Sequence, residues 1–173
     1  MNLNEVVIHT TRLRLIPIRK EHITEVFENF TTDITKHMYP QPTGDIKDTE
    51  AFVISSIEGL NNGTNLQLVI LDTEDGDFLG CAGLHHVEQL DPELGIWIKK
   101  KSHGRGLGLE AMNGLIRWAK ENLKFDHLKY PVARNNHASK RIPIMNGGKL
   151  MKEYISVNQN GESMDIVEYW IYV

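Results

Sequence analysis

The chain has a single cysteine, Cys81, among 173 residues. That excludes an intramolecular disulfide framework and any cysteine-based zinc site, and the apolar run around Cys81 reads as the setting of a buried, inert thiol. No stretch approaches the roughly 18 uninterrupted apolar residues of a membrane-spanning helix. The opening Met-Asn-Leu-Asn-Glu lacks the basic-then-apolar pattern of a signal peptide, so the expected location is cytoplasmic. Positive charge is not in excess either. A formal net charge of -4 argues against a general nucleic-acid binder. No Gly-x-x-x-x-Gly-Lys-Ser/Thr is present, so a nucleoside-triphosphate cradle of that type is excluded. Low-complexity segments, linkers and internal repeats are missing too, and the length is one domain's worth, residues 1–173.

What is present centres on residues 93–111. Here an apolar strand passes through a basic, glycine-spaced loop, Lys99-Lys100-Lys101-Ser102-His103-Gly104-Arg105-Gly106-Leu107-Gly108, into a helix. Alternating glycines let the backbone turn tightly and present successive N–H groups at the helix mouth, where the helix dipole also favours an anion. Lys99, Lys100, Lys101 and Arg105 place cations around it. The competing reading is a plain strand-to-helix turn with solvated lysines. The dinucleotide fingerprint does not fit, because its third glycine would fall on Leu109. Leu107, Ala111, Leu115, Ala119 and Leu123 give the helix an apolar stripe.

The remaining elements follow from periodicity and turn chemistry. Residues 10–18 alternate as a strand; Ile23, Val26, Phe27 and Phe30 mark a helix, and a Pro-rich loop runs from Thr31 to Pro42. Asp45 is placed to cap a second helix carrying Val53, Ile57 and Leu60, ended by Asn61-Asn62-Gly63. Strands follow at 66–71 and 78–87 around an Asp-Gly turn, then at 93–98, and at 126–133 despite Pro131, which suits an edge or a divergence of strands. A short helix is expected over 136–146, with Pro143 kinking it or removing a hydrogen bond. A hairpin of 149–157 and 163–173 closes the chain, with Asp165, Val167, Tyr169, Ile171 and Val173 on one face.

His103-Gly104-Arg105-Gly106-Leu107-Gly108 resembles the Gln/Arg-x-x-Gly-x-Gly/Ala loop of the GNAT acetyltransferases. Glu93-Leu94-Gly95-Ile96-Trp97-Ile98 is similar to the Glu-Ile-Gly-Tyr-Trp-Leu strand of the branch that contains the ribosomal-protein N-terminal acetyltransferases. Asn136-His137-Ala138-Ser139 is similar to its Asn-x-x-Ser helix start. Arg12-Leu13-Arg14-Leu15 and the strand from Asp165 to Tyr169 fall where that branch has comparable segments, so the resemblance spans nearly the whole chain.

The resemblance implies an α/β (α+β) fold with a mixed, mostly antiparallel sheet of six to seven strands flanked by about four helices. It also implies acetyl transfer from acetyl-CoA to a primary amine, a protein N-terminal α-amine or a small molecule, by direct attack in a ternary complex. His103, Gly104, Arg105, Gly106, Leu107 and Gly108, with Lys99, would hold the pyrophosphate. Ile96 and Ile98 would pair with the pantetheine arm, Asn136 would reach it, and the loop from Thr31 to Pro42 would carry acceptor specificity.

Glu93 is the first candidate for the general base and His85 the second, since an amine of pKa about 10 must lose a proton before it attacks. Either side chain also admits a structural role. Many GNAT enzymes place an acidic Tyr where this chain has Pro143, so Ser139 inherits the task of protonating the departing thiolate, unless it merely caps the helix. No metal is expected, nor a nucleic-acid or membrane partner; monomer and homodimer both remain open. The rival function is a non-catalytic acyl-CoA-binding module, which would keep the cradle without the proton relay.

Overall fold

The longest apolar runs become the middle of one sheet. In this computed structural model, which describes residues 2–172, the elements in chain order are β1 (Ile8–His9), β2 (Leu13–Pro17), α1 (Ile23–Asn29), α2 (Thr32–Thr35), α3 (Ile46–Asn62), β3 (Asn65–Asp72) and β4 (Phe78–His85). They continue with β5 (Glu93–Ile98), α4 (Leu107–Asn122), β6 (His127–Ala133), α5 (His137–Met145), β7 (Lys149–Val157) and β8 (Ser163–Tyr172). The sheet has 8 strands in the order β1-β2-β3-β4-β5-β6-β8-β7. β3 and β4 are buried along nearly their whole length, as strands covered on both faces must be. β2 alternates instead, with Leu13 and Leu15 in the core and Arg14 exposed.

The expected six to seven strands and about four helices are therefore corrected upward. The short β1 has too few residues for a periodic signal, and α2 is a single turn inside the segment read as loop. Val173 lies outside the described residues. Asp45 caps α3 as expected by accepting the Lys47 N–H, and Gly63 ends it at φ 72. Pro143 does not break α5. The helix runs on through Met145, and the Pro143 carbonyl accepts from Asn146 and Gly148. A Cβ on Gly148 would lie 2.8 Å from that carbonyl oxygen, which is why only glycine fits there.

One joint in the sheet decides where the site is. Every strand pair is antiparallel except β5 with β6, which run parallel and meet at the single pair Glu93↔Lys129. Beyond it they part. Lys129 donates its N–H toward β5, to the Pro92 carbonyl. Two residues on, the nitrogen of Pro131 faces the same side, where no partner strand remains to want a hydrogen. Pro131 is thus no edge residue, since β6 lies between β5 and β8, and the divergence alternative is the one that holds.

Among the described residues no helix is long and apolar enough to cross a membrane.

Candidate active site

The alternation along β5 sorts its groups. Lys99 donates its N–H toward β4, to the Leu79 carbonyl, whereas the Pro92 carbonyl accepts from β6, so the backbone groups of Ile96 and Ile98 face the parted strands. Their side chains lie on the α4 side: a Cβ on Gly108 would meet Ile98 at 3.7 Å and Ile96 at 3.9 Å. Glu93, Gly95 and Trp97 point to the opposite face.

At the end of β5 the chain enters the loop. The imidazole Nε2 of His103 lies 2.6 Å from the Ile98 carbonyl oxygen and pins the loop to the strand it left. Gly104 and Gly106 adopt φ of 76 and 73, the left-handed conformation that turns the chain into α4. From Gly104 through Leu109 no backbone N–H has an acceptor among the described residues, and α4 opens with the bond from Glu110 to the Gly106 carbonyl. A row of unpaired donors at a helix N-terminus is the arrangement an anionic group fits.

The loop is braced from behind by Glu110. Its carboxylate accepts from the Thr10 hydroxyl at 2.6 Å, the Arg12 N–H at 2.8 Å and the Arg12 guanidinium at 2.7 Å, while Arg12 also donates to the Arg105 carbonyl at 3.1 Å. Burial pushes the Glu110 pKa up, but these hydrogen bonds more than offset it and leave it below the usual carboxylate value. Lys99 is not a free cation: its ammonium is paired with Asp77 and largely covered. Lys100 and Lys101 stay exposed.

On the other face of β5 is a cavity of about 970 Å³ between α1, the loop after it, the start of α3, and strands β4 and β5. Gly83 and Gly95 pair across β4 and β5 and leave its floor without side chains. The His85 imidazole fills part of that space, 3.0 Å from where a Gly83 Cβ would stand and 3.7 Å from one on Gly95. Burial, with a smaller contribution from His86, lowers the His85 pKa. His86 turns away at φ 58 and is exposed.

Glu93 sits directly across from His85 in register, on the same face, but does not line the cavity. Burial raises its pKa, against the opposing pull of Lys129 and with Glu168 adding to the rise. The cavity also reaches Ile96, whose backbone opens into the gap between β5 and β6.

Across the gap, Asn136 caps α5 by accepting the Ser139 N–H, so the cap is not Ser139. The Ser139 hydroxyl is 2.8 Å from the hydroxyl of Tyr130, whose pKa burial pushes up to about 12 despite that hydrogen bond.

A family profile described as "Acetyltransferase (GNAT) domain" matches residues 12–149. The chain belongs to the GNAT acetyltransferase family. It is 32% identical over 71 residues to the putative ribosomal N-acetyltransferase YdaF of Bacillus subtilis (strain 168), a stretch spanning 40% of this chain and 39% of that relative.

Among solved structures, it superposes with a TM-score of 0.83 on the Salmonella typhimurium acetyltransferase that modifies the N-terminal serine of ribosomal protein L7/L12, at 16% identity, covering 97% of this chain and 99% of that one. The microcin C7 self-immunity acetyltransferase MccE, solved with acetyl-CoA and AMP, gives 0.84 at 18% identity, covering 95% and 94%. At such identities the structural likeness concerns the GNAT fold.

Two features of this GNAT site were not visible in the chain order. Tyr130 alternates with Leu128 and Val132 as any core residue would, and nothing local announces that its hydroxyl meets a residue on the next helix. Glu110 reads as a solvated residue of an amphipathic helix until the turn before β2 is brought against it.

Proposed function

We propose that this protein transfers the acetyl group of acetyl-CoA to a primary amine by direct attack in a ternary complex. The observation that carries the reading is the meeting of two openings at Ile96: the gap between β5 and β6 on the donor side, and the 970 Å³ cavity on the acceptor side. The N–H groups from Gly104 to Leu109 hold the pyrophosphate, with Lys100, Lys101 and Arg105 around it. The amide-bearing pantetheine arm lies beside β5 as an added strand on the backbone groups of Ile96 and Ile98, and the Asn136 amide reaches it from α5. The N–H groups facing the gap polarise the thioester oxygen.

His85 takes the amine proton. It lines the cavity, and its lowered pKa keeps the imidazole neutral and able to accept. Glu93 is its cross-strand neighbour in register and lies outside the cavity. As the nitrogen bonds to the carbonyl carbon, the carbon–sulfur bond breaks and the thiolate takes a proton through the Ser139 hydroxyl, held by Tyr130; solvent restores the Ser139 proton as His85 releases the amine proton to solvent. The net result is one proton moved from amine to thiol, with no covalent acyl-enzyme; Cys81 is buried and its thiol pKa is driven up. The acceptor is a protein N-terminus or a small amine, and the setting is cytoplasmic.

The test is thermal unfolding with acetyl-CoA, coenzyme A, NAD and ATP in parallel, followed by coenzyme A release assays with amines and N-terminal peptides. Both coenzyme A forms are expected to raise the midpoint, and release of free thiol is expected to depend on an amine. A rise without amine-dependent release from any acceptor in a broad panel would leave the non-catalytic acyl-CoA-binding module in its place.

A further inference from the structure

Resting on the acetyl-transfer reading, the chemistry of the acceptor cavity narrows the amine. Among the described residues no lysine or arginine lines it; the titratable side chains on its wall are Asp45, Asp48, Cys81 and His85. With thiol and imidazole neutral, the two carboxylates supply the charge. Both are exposed at the start of α3. Asp45 accepts the Lys47 N–H on Oδ1, and Asp48 accepts from the Thr43 hydroxyl on Oδ2, so each keeps a second oxygen that accepts no hydrogen bond among the described residues.

Aromatic and apolar side chains, Phe27, Phe30, Phe52, Trp97 and Met38, share the rest of the wall with neutral polar ones such as Thr31, Gln41, Gln67 and Asn160. Phe30 and Phe78 fix the Trp97 ring from two sides, with centroids 5.3 and 5.8 Å away. One side of the cavity is bridged. The Gln159 N–H donates to the Tyr39 carbonyl at 3.1 Å, and the Gln41 N–H donates to Gln159 Oε1 at 2.9 Å, joining the loop before α3 to the turn between β7 and β8. An extended polypeptide leaving on that side would have to break the tie.

We propose that the acceptor is a small cationic amine on an aromatic or aliphatic body, with no carboxylate or phosphate beside the amine. Such a molecule places its hydrocarbon against Trp97 and the phenylalanines and its nitrogen at His85, while Asp45 and Asp48 draw the cation in. An amino acid would bring its carboxylate into a cavity without a basic partner, which disfavours it.

Matched pairs test this: tryptamine against tryptophan and tyramine against tyrosine, beside a tetrapeptide with N-terminal serine, in acetyl transfer at saturating acetyl-CoA and in calorimetric binding with coenzyme A present. The decarboxylated member of each pair is expected to show kcat/KM at least about tenfold higher than its amino acid and than the peptide. The double variant Asp45→Asn, Asp48→Asn keeps the cap and the Thr43 acceptor. It is expected to raise KM for tryptamine about fivefold, with kcat and KM for acetyl-CoA within about twofold.

Equal or better use of tryptophan, tyrosine or the peptide overturns the acceptor class while leaving acetyl transfer standing. Tryptamine failing to bind overturns it as well, whatever else is acetylated. Absence of acetyl-CoA binding instead removes the donor reading beneath both.

Discussion

The hydroxyl of Tyr130 lies 2.8 Å from that of Ser139, joining the strand on one side of the donor gap to the helix above it. Tyr130 is 2% exposed and its pKa is pushed up to about 12, so it stays a phenol at every working pH and has a proton to donate. Either hydroxyl can donate across this contact; with Tyr130 as donor, Ser139 keeps its own proton for the departing thiolate. Tyr130 is a positioning residue in this scheme, acting through Ser139.

Ser139→Ala is expected to lower kcat about 10- to 100-fold with KM for acetyl-CoA little changed. Tyr130→Phe should lower kcat about 3- to 10-fold and cost about 1 kcal/mol of stability, the usual worth of one buried hydrogen bond. The double variant should be no slower than Ser139→Ala alone, because both changes act on one hydroxyl. Additive losses in steady-state kinetics would separate the two residues and end the relay.

The Arg12–Glu110 brace predicts a pH dependence. The folded-state pKa of Glu110 is below its unfolded value, so its contribution to stability is complete above the ordinary carboxylate range and is lost as pH falls through the lowered folded value. Glu110→Gln should flatten the acid limb of a stability-against-pH curve and cost about 1–2 kcal/mol at neutral pH. Because Arg12 also holds the Arg105 carbonyl, the same change should raise KM for acetyl-CoA severalfold without altering the choice of amine. Denaturant melts at several pH values and donor titrations check both parts.

Gly106 isolates the backbone contribution of the cradle. At φ 73 it pays a conformational penalty for any side chain, yet nothing but the Arg12 guanidinium, 4.0 Å away, lies near a Cβ there. Gly106→Ala should therefore cost about 1–2 kcal/mol through the backbone alone. Coenzyme A binding by calorimetry should weaken about tenfold as the N–H row loses its geometry. Unchanged affinity would place the pyrophosphate elsewhere.

Much of this was readable from residue order where the signal is local. Asp45 and Gly63 mark the ends of α3 by their own chemistry, and the stripe from Leu107 to Ala119 faces the core as its spacing requires. Pro131 read equally as an edge residue or as a divergence of strands; choosing between them needed the strand order, which places β6 inside the sheet. The glycine loop was legible as an anion cradle, but Lys99 and Lys100 look alike in sequence, and only the approach of Asp77 across the turn between β3 and β4 tells them apart. Partners supplied by distant segments, as Glu110 for Arg12 and Tyr130 for Ser139, leave no trace in local pattern.

The choice between His85 and Glu93 as base rests on where each is and which way burial moves it. Burial lowers the pKa of one and raises that of the other, and only His85 lines the cavity. If His85 is the base, kcat/KM should rise with pH through a pKa below 6.5, the ordinary imidazole value. His85→Gln should remove that limb and lower kcat about 100-fold. For stability the sign is the same: the unfolded imidazole takes up a proton more readily than the folded one, so stability is full above 6.5 and declines on acidification through and below that value.

Glu93→Gln should keep the limb and lower kcat less than tenfold, because Glu93 does not line the cavity where the amine is bound. A profile in which Glu93→Gln abolishes the acid limb and His85→Gln leaves it in place would reverse the two roles. It would move the amine from the glycine-floored cavity toward the cluster of Glu93, Glu168 and Lys129.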